Sequence, residues 1–467
     1  MKAGVIGSPI AHSLSPLIFK FVAHRLGQNI DYQAYEVKLE ESKKFFQELK
    51  IDNSFVGLNI TLPFKESFLN DLNKISPEVK ALGALNVLHI KGDEIHGFNT
   101  DVIGIQKTFE SRKFLIDSKK CFLFGAGGSA KAVAYVLGKE GAFQVTIFNR
   151  SIRGQEIVNQ FSLLFPKTKW NWISSFNELP PEKISYDLVI NATPLGMTGK
   201  DSGVEFFHSL EKIPFSQNAL AFDLIYTPEE TDFLKSAKAL GLSGIGGIGM
   251  LIDQALASWK IWFGELINEH ALHQELEAIL KGVLKLRQNQ KSIYLTGFMG
   301  VGKSKVGLEL AHLLGRTFLD TDQLIEAKAK SSIKDIFSNF GESYFRDIEN
   351  SILLETLTFK NSIIALGGGA LIKVENQHVI NQSGLLIYLS ASENILFERI
   401  EKQNLDRPIL LNLAVDEKKQ KIKELLMLRL SVYQKAKIHV QTDLLNAQDV
   451  VFKILAAIGE NEIQESK

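Results

Sequence analysis

The stretch "SIYLTGFMGVGKSKVGLELAHLLG" (292–315) decides how the last third of the chain folds. "SIYLT" is an apolar run of strand length, and "SKVGLELAHLLG" spaces its large apolar residues as a helix does. Between them, Gly297–Ser304 satisfies G-x-x-x-x-G-K-S. Backbone N–H groups of such a loop wrap phosphates, its lysine reaches the β- and γ-phosphates, and its hydroxyl ligates Mg²⁺. The prediction is a P-loop domain over 292–460. Gly300, Val301, Gly302, Lys303, Ser304 and Lys305 then meet ATP, and Ser304 meets the metal.

A different glycine signature stands upstream. "FLFGAGGSA" (122–130) fits G-x-G-x-x-G/A through Gly125, Gly127 and Ala130, directly after an apolar strand and before a helical stretch. The first glycine makes the tight turn, and the second lets the backbone approach a pyrophosphate at the positive end of the helix. Gly128 and Ser129 belong to the same turn. The next strand ends in Asn149, Arg150 and Ser151. An acidic residue there would suit NAD; Arg150 suits the 2′-phosphate of NADP. Read singly, the glycines are an ordinary βα turn and Arg150 a solvated charge.

Short apolar runs alternate with amphipathic segments throughout, which predicts α/β architecture with mostly parallel sheets. Strands are expected at 3–7, 32–37, 55–61, 121–125, 145–149, 187–193 and 220–225, with helices at 16–26, 40–49, 64–73 and 129–140. The region 250–290 reads as helical, first "MLIDQALASWKIWFGELIN" and then a more charged stretch. It sets a helical linker over 276–291 and a boundary near 285–291. The 467 residues hold 53 basic and 53 acidic side chains, so the charge balance points to neither nucleic acid nor an anionic membrane. No window approaches the ~18 to 20 apolar residues of a membrane span. The one cysteine, Cys121, permits no disulfide framework. A cytoplasmic enzyme is expected.

The first 270 residues resemble the shikimate dehydrogenase family. The motifs are "SPIAHSLSP" (8–16), "NITLPFK" (59–65), "GALNVL" (83–88), "GFNTD" (97–101), "NATPLGM" (191–197), "DLIYTP" (223–228) and "GIGMLIDQA" (247–255). The resemblance implies a substrate lobe over 1–101 and 238–275 and an NADP-binding Rossmann lobe over 102–237. It implies that Lys65 and Asp101 are the catalytic pair. Ser13, Ser15, Asn59, Thr61, Asn86 and Gln254 would bind the substrate's carboxylate and hydroxyls. Thr193, Met197, Tyr226 and Gly247 would meet the cofactor. One departure stands out: Ser151 replaces a threonine, and a second arginine, Arg153, comes one position early, before Gly154. Apart from the family, Asp101 reads as a helix cap, Ser13 and Ser15 as turn residues, and Lys65 as a surface charge.

The last part resembles shikimate kinase. After the P-loop come "FLDTDQLIE" (318–326), "GESYFRDIE" (341–349), "ALGGGA" (365–370), "DRPIL" (406–410) and "MLRLSVY" (427–433). Strand alternation places Asp320 and Asp322 on one side if the extended geometry persists. By resemblance, Asp322 meets the hydroxyl to be phosphorylated and Asp320 helps place Mg²⁺. Arg346 and Arg429 bind the substrate carboxylate, and Glu349 holds Arg346. Gly368 and Gly369 line the pocket, Arg407 closes on the phosphates, and Arg399 stacks on adenine.

Together these resemblances imply NADPH-dependent reduction of 3-dehydroshikimate to shikimate, then phosphorylation of that shikimate by ATP. The competing readings are a quinate or NAD enzyme in the first half, a kinase for another small hydroxy acid in the second, and a ligand-sensing regulator that keeps both folds. The last predicts loss of Lys65, Asp101, Lys303 or Asp322, and all four are present.

Overall fold

A computed structural model describes residues 1–179, 184–402, 410 and 413–461. The chain forms two compact units, Met1–Glu277 and Ala278–Lys467.

The first unit holds two sheets. One contains β1 (Lys2–Gly7), β2 (Asp31–Glu36), β3 (Phe55–Ile60), β4 (Lys74–Ile75), β5 (Val87–Lys91) and β6 (Glu94–Phe98), in the order β2-β1-β3-β5-β6-β4. It is mixed: β1 runs parallel to β2 and β3, while β5 is antiparallel to both β3 and β6. The other contains β7 (Lys120–Phe124), β8 (Gln144–Phe148), β9 (Lys169–Ile173), β10 (Tyr186–Asn191), β11 (Phe215–Asp223) and β12 (Ser243–Ile245). Its order, β12-β11-β10-β7-β8-β9, is parallel throughout and is that of a doubly wound dinucleotide-binding sheet. Strands such as "CFLF" are apolar at every position because both faces of a parallel sheet are covered. β12 joins this sheet, so the Rossmann fold runs past the boundary expected at 237.

The second unit carries β13 (Ser292–Thr296), β14 (Thr317–Asp320), β15 (Ser362–Ala365), β16 (Gly384–Ser390) and β17 (Ile438–Gln441), all parallel, in the order β14-β15-β13-β16-β17. Here β13 is central, so the loop at its C-terminal end opens where such folds bind ligands.

Three expectations change. The segment 64–73 forms only short turns, Phe64–Glu66 and Leu69–Asp71. Its Ser, Asn and Asp side chains compete for backbone bonds, and Asn73 Oδ1 accepts the Ile95 N–H at 2.8 Å. The division between units falls between Glu277 and Ala278, inside the helix Glu269–Gln288, rather than at 285–291. Residues 278–288 are built into the second unit. A Cβ on Gly282 would lie 2.0 Å from the Leu455 carbonyl oxygen, and one on Gly459 1.9 Å from that of Ala278. Only glycines allow so close a helix crossing. Lys285 Nζ then donates to the carbonyls of Gly459 at 2.7 Å and Asn461 at 3.0 Å, which closes the last helix, Ala447–Glu460. Third, the extended geometry does not persist from Asp320 to Asp322. The chain turns into the helix Thr321–Ala329, and Asp320 caps it by accepting the Asp322 N–H at 3.0 Å.

Candidate active sites

The first site forms where the C-terminal ends of β3 and β6 meet the glycine turn after β7. Lys65 Nζ donates to Asp101 Oδ2 at 2.5 Å and to Ser129 Oγ at 3.3 Å. The lysine side chain is 12% exposed and the aspartate 7%, so this is a partly desolvated ion pair rather than a surface one. Asp101 opens the helix Asp101–Ser111, but its side chain faces Lys65 and is not the cap. Asn86 Nδ2 reaches Asp101 Oδ1 at 2.9 Å and Gln254 Oε1 at 3.3 Å. Asn59 is held at both ends: Tyr32 OH donates to its Oδ1 at 2.8 Å, and its Nδ2 donates to Ser258 Oγ at 2.9 Å. Ser13 Oγ accepts the Ser15 N–H at 3.2 Å, so the turn role is real and leaves the Ser13 hydroxyl proton for a ligand. Thr61 directly follows β3, and its N–H donates to the Ile6 carbonyl at 3.0 Å.

The dinucleotide turn fits its predicted cofactor. Gly125 has φ +109°, and a Cβ there would stand 3.0 Å from the Ala192 carbonyl oxygen. Gly127 faces open space, which leaves room for a pyrophosphate to approach the backbone, and Ala130 is fully buried in the helix Gly128–Lys139. Asn149 Nδ2 donates to Ser151 Oγ at 2.8 Å, and Arg150 and Arg153 are both exposed. A second arginine does not fit at position 154. A Cβ at Gly154 would meet Trp172 at 2.3 Å, and the Trp172 indole N–H pins the Asn149 carbonyl at 2.8 Å.

At the far rim, Asp223 is fully buried and accepts from Thr231 Oγ1 at 2.6 Å, the Ile225 N–H at 3.0 Å and Asn191 Nδ2 at 3.0 Å. Asn191 Oδ1 accepts in turn from Thr193 Oγ1 at 2.7 Å. This network braces the loops bearing Thr193, Met197 and Tyr226. Burial pushes the Asp223 carboxyl up to about 7, against the pull of those three donors. Gly247 sits where a Cβ would lie 2.2 Å from the Leu224 carbonyl oxygen, so the helix Ile248–Phe263 starts hard against the same loop.

In the second unit, Gly297, Gly300 and Gly302 take φ of +144°, +79° and +101°, the left-handed backbone that a phosphate-binding turn of this kind requires. Lys303 Nζ donates to the carbonyls of Gly297 at 2.9 Å and Phe298 at 3.2 Å. Ser304 Oγ donates to Asp320 Oδ2 at 2.6 Å, so two oxygens suited to Mg²⁺ stand side by side at the phosphate loop. Val301 is buried and Lys305 is exposed.

The glycines after β15 face one set of charged groups each. A Cβ on Gly367 would lie 2.8 Å from Asp322 Oδ1 and 3.0 Å from Glu349 Oε1. One on Gly368 would lie 3.1 Å from Arg429 Nη1, and one on Gly369 2.5 Å from Arg346 Nη1. Side chains here would crowd the charges together. Arg346 Nη1 donates to Glu349 Oε2 at 2.6 Å, across one helical turn. Burial pushes the Glu349 carboxyl above its usual range, with Arg346 pulling it back. Arg399 donates to Thr442 Oγ1 at 3.0 Å and to the Val301 carbonyl at 3.4 Å, beside the phosphate loop. Arg407 falls among 403–409, outside the described residues.

The model of the shikimate dehydrogenase substrate-binding domain matches residues 5–88, and that of shikimate kinase matches 299–459. A shikimate dehydrogenase (NADP(+)) from Methanococcus maripaludis is 32% identical over 278 residues, covering 60% of this chain and 97% of that protein. The chain belongs to the shikimate dehydrogenase family. Among solved structures, shikimate 5-dehydrogenase from Thermus thermophilus in complex with shikimate is 30% identical, with a TM-score of 0.50 over 60% of this chain and 99% of that one. Shikimate dehydrogenase from Aquifex aeolicus is 31% identical, with a TM-score of 0.51 over 59% and 97%. Behind this part, the same chain carries a region that matches the shikimate kinase model, as a fusion of the two would.

Several participants escape the sequence reading. Ser258 lies four residues after Gln254 on the same helix face, a spacing that could have flagged it. Tyr433 lies four after Arg429, and its hydroxyl donates to the Gly368 carbonyl at 2.6 Å. Thr321 Oγ1 accepts the Gly367 N–H at 2.8 Å. Tyr32 carries no such signal, because it reaches Asn59 across the sheet.

Proposed function

We propose that the two sites run consecutive reactions on one ring acid. The first reduces 3-dehydroshikimate to shikimate with NADPH, and the second moves the γ-phosphoryl of ATP to the shikimate 3-hydroxyl. The observation that carries the reading is the Lys65–Asp101 pair at 2.5 Å, brought against the dinucleotide turn from two separate elements.

In the first site NADPH, when bound, supplies hydride to the ring carbonyl carbon. Lys65 gives a proton to the oxygen as negative charge develops there, and Asp101 keeps the ammonium in place. Ser13, Ser15, Asn59, Thr61, Asn86 and Gln254 hold the carboxylate and hydroxyls through neutral hydrogen bonds. Arg150 and Ser151 receive the 2′-phosphate. The backbone of Gly125, Gly127, Gly128, Ser129 and Ala130 would hold the pyrophosphate, and Thr193, Met197, Tyr226 and Gly247 would meet the cofactor.

In the second site Ser304 and Asp320 would hold Mg²⁺, which would supply charge neutralisation on the phosphates. Asp322 orients the shikimate hydroxyl and takes its proton. Arg346 and Arg429 bind the carboxylate over Gly368 and Gly369, and Glu349 positions Arg346. Lys303, with Arg407, offsets the charge gathering on the transferred group. Gly300, Val301, Gly302 and Lys305 complete the ATP loop, and Arg399 meets the adenine. Among the described residues no helix is long and apolar enough to cross a membrane, and we place both reactions in the cytoplasm.

The test is steady-state. The full chain oxidises NADPH with 3-dehydroshikimate and forms ADP with shikimate. Faster turnover with quinate and NAD overturns the first assignment, and a silent kinase with shikimate overturns the second.

A further inference from the structure

Lys65 makes a second contact that the ion pair alone does not require. Its ammonium has three N–H donors. One goes to Asp101 Oδ2 at 2.5 Å and one to Ser129 Oγ at 3.3 Å, which leaves one to point at a substrate oxygen. A lysine side chain held by a carboxylate alone can still swing about its Cγ–Cδ and Cδ–Cε bonds, carrying its free N–H directions with it. A second acceptor in a fixed direction ends that freedom and aims the third donor.

Ser129 is well built for this task. It lies in the first turn of the helix Gly128–Lys139, so its backbone is fixed by the dinucleotide turn. The preceding glycine faces the same lysine: a Cβ added at Gly128 would lie 3.5 Å from Lys65 Cδ and 3.6 Å from its Cβ. One turn on, Lys131 Nζ reaches Glu66 Oε1 at 2.8 Å, so adjacent residues of the 65–66 segment are tied to the same helix end. The turn that takes the cofactor and the residue that takes the substrate oxygen are thus fastened together at Ser129.

We infer that Ser129 is a positioning residue for reduction, its hydroxyl orienting the Lys65 ammonium toward the substrate carbonyl from the cofactor's own turn. The inference rests on the proposed reductase reading. Lost orientation of a proton donor lowers the rate after binding, while a group that only binds phosphate raises the KM for NADPH.

The experiment compares wild type, Ser129→Ala and Ser129→Thr in the full chain, with the kinase reaction as a control for the amount of intact chain and the thermal unfolding curve by circular dichroism as the control for folding of the first unit. Ser129→Ala is expected to lower kcat for reduction about tenfold, the size of a lost hydrogen bond to a charged group. KM values for NADPH and 3-dehydroshikimate stay within about twofold, and Ser129→Thr, which keeps the hydroxyl, recovers most of the rate. An unchanged kcat overturns the inference, and so does a loss carried wholly by the KM for NADPH or a threonine variant no better than alanine. If wild type fails to reduce 3-dehydroshikimate, the reductase reading itself falls.

Discussion

The two pockets receive one small acid in opposite ways. In the first site the ion pair Lys65–Asp101 is joined to neutral groups: Asn86 and Gln254, with Asn59, Ser258 and Tyr32 linked to one another nearby. In the second, three successive glycines face Asp322 and Glu349, then Arg429, then Arg346, and Arg346 is paired with Glu349. The difference follows the chemistry. Reducing a carbonyl creates one charge on one oxygen, which one aimed proton donor meets. Phosphoryl transfer brings an anionic acid to an anionic nucleotide, so cations must come first and the protein must hold them apart.

The comparison breaks most visibly at the two lysines. Lys65→Ala should lower reduction roughly a hundredfold or more while phosphorylation stays near wild type, and Lys303→Ala should do the reverse by a similar factor. Loss of both activities from either change would contradict two self-sufficient pockets. A middle-sized effect is expected at Glu349→Gln. Arg346 then keeps a partner of the same shape without the charge, and the KM for shikimate in the kinase reaction should rise about tenfold with reduction untouched. The subtlest effect concerns pH. The Asp223 carboxyl is raised to about 7 by burial, so the folded state holds that proton more tightly than the unfolded chain. Stability from this group is therefore lost as pH rises from about 4 toward about 7. The thermal midpoint at which reductase activity disappears should fall across that window in wild type, and Asp223→Asn should flatten the fall.

Much of this was legible because short motifs carry geometry. The G-x-x-x-x-G-K-S loop and G-x-G-x-x-A turn fix a strand before and a helix after, and both appear as expected around Gly302 and Gly127. What stayed hidden depends on approach between distant segments. The Ser129–Lys65 contact joins residues 64 positions apart. The pairing of Gly282 with Gly459 gives no local sign, yet it moves the boundary between units. Asp320 and Asp322 misled for a different reason: the capping tendency of Asp320 overrode strand alternation and turned the chain into a helix. Phe64 and Phe68 are both buried at helical spacing, but the polar residues around them favoured turns.

The most direct measurement supplies the full-length chain with 3-dehydroshikimate, NADPH and Mg-ATP together and follows the ring acid. The account predicts shikimate 3-phosphate, with one NADPH oxidised and one ADP released for each molecule formed. Shikimate accumulating without its phosphate ester, or ADP appearing without reduction, would contradict consecutive action on one acid.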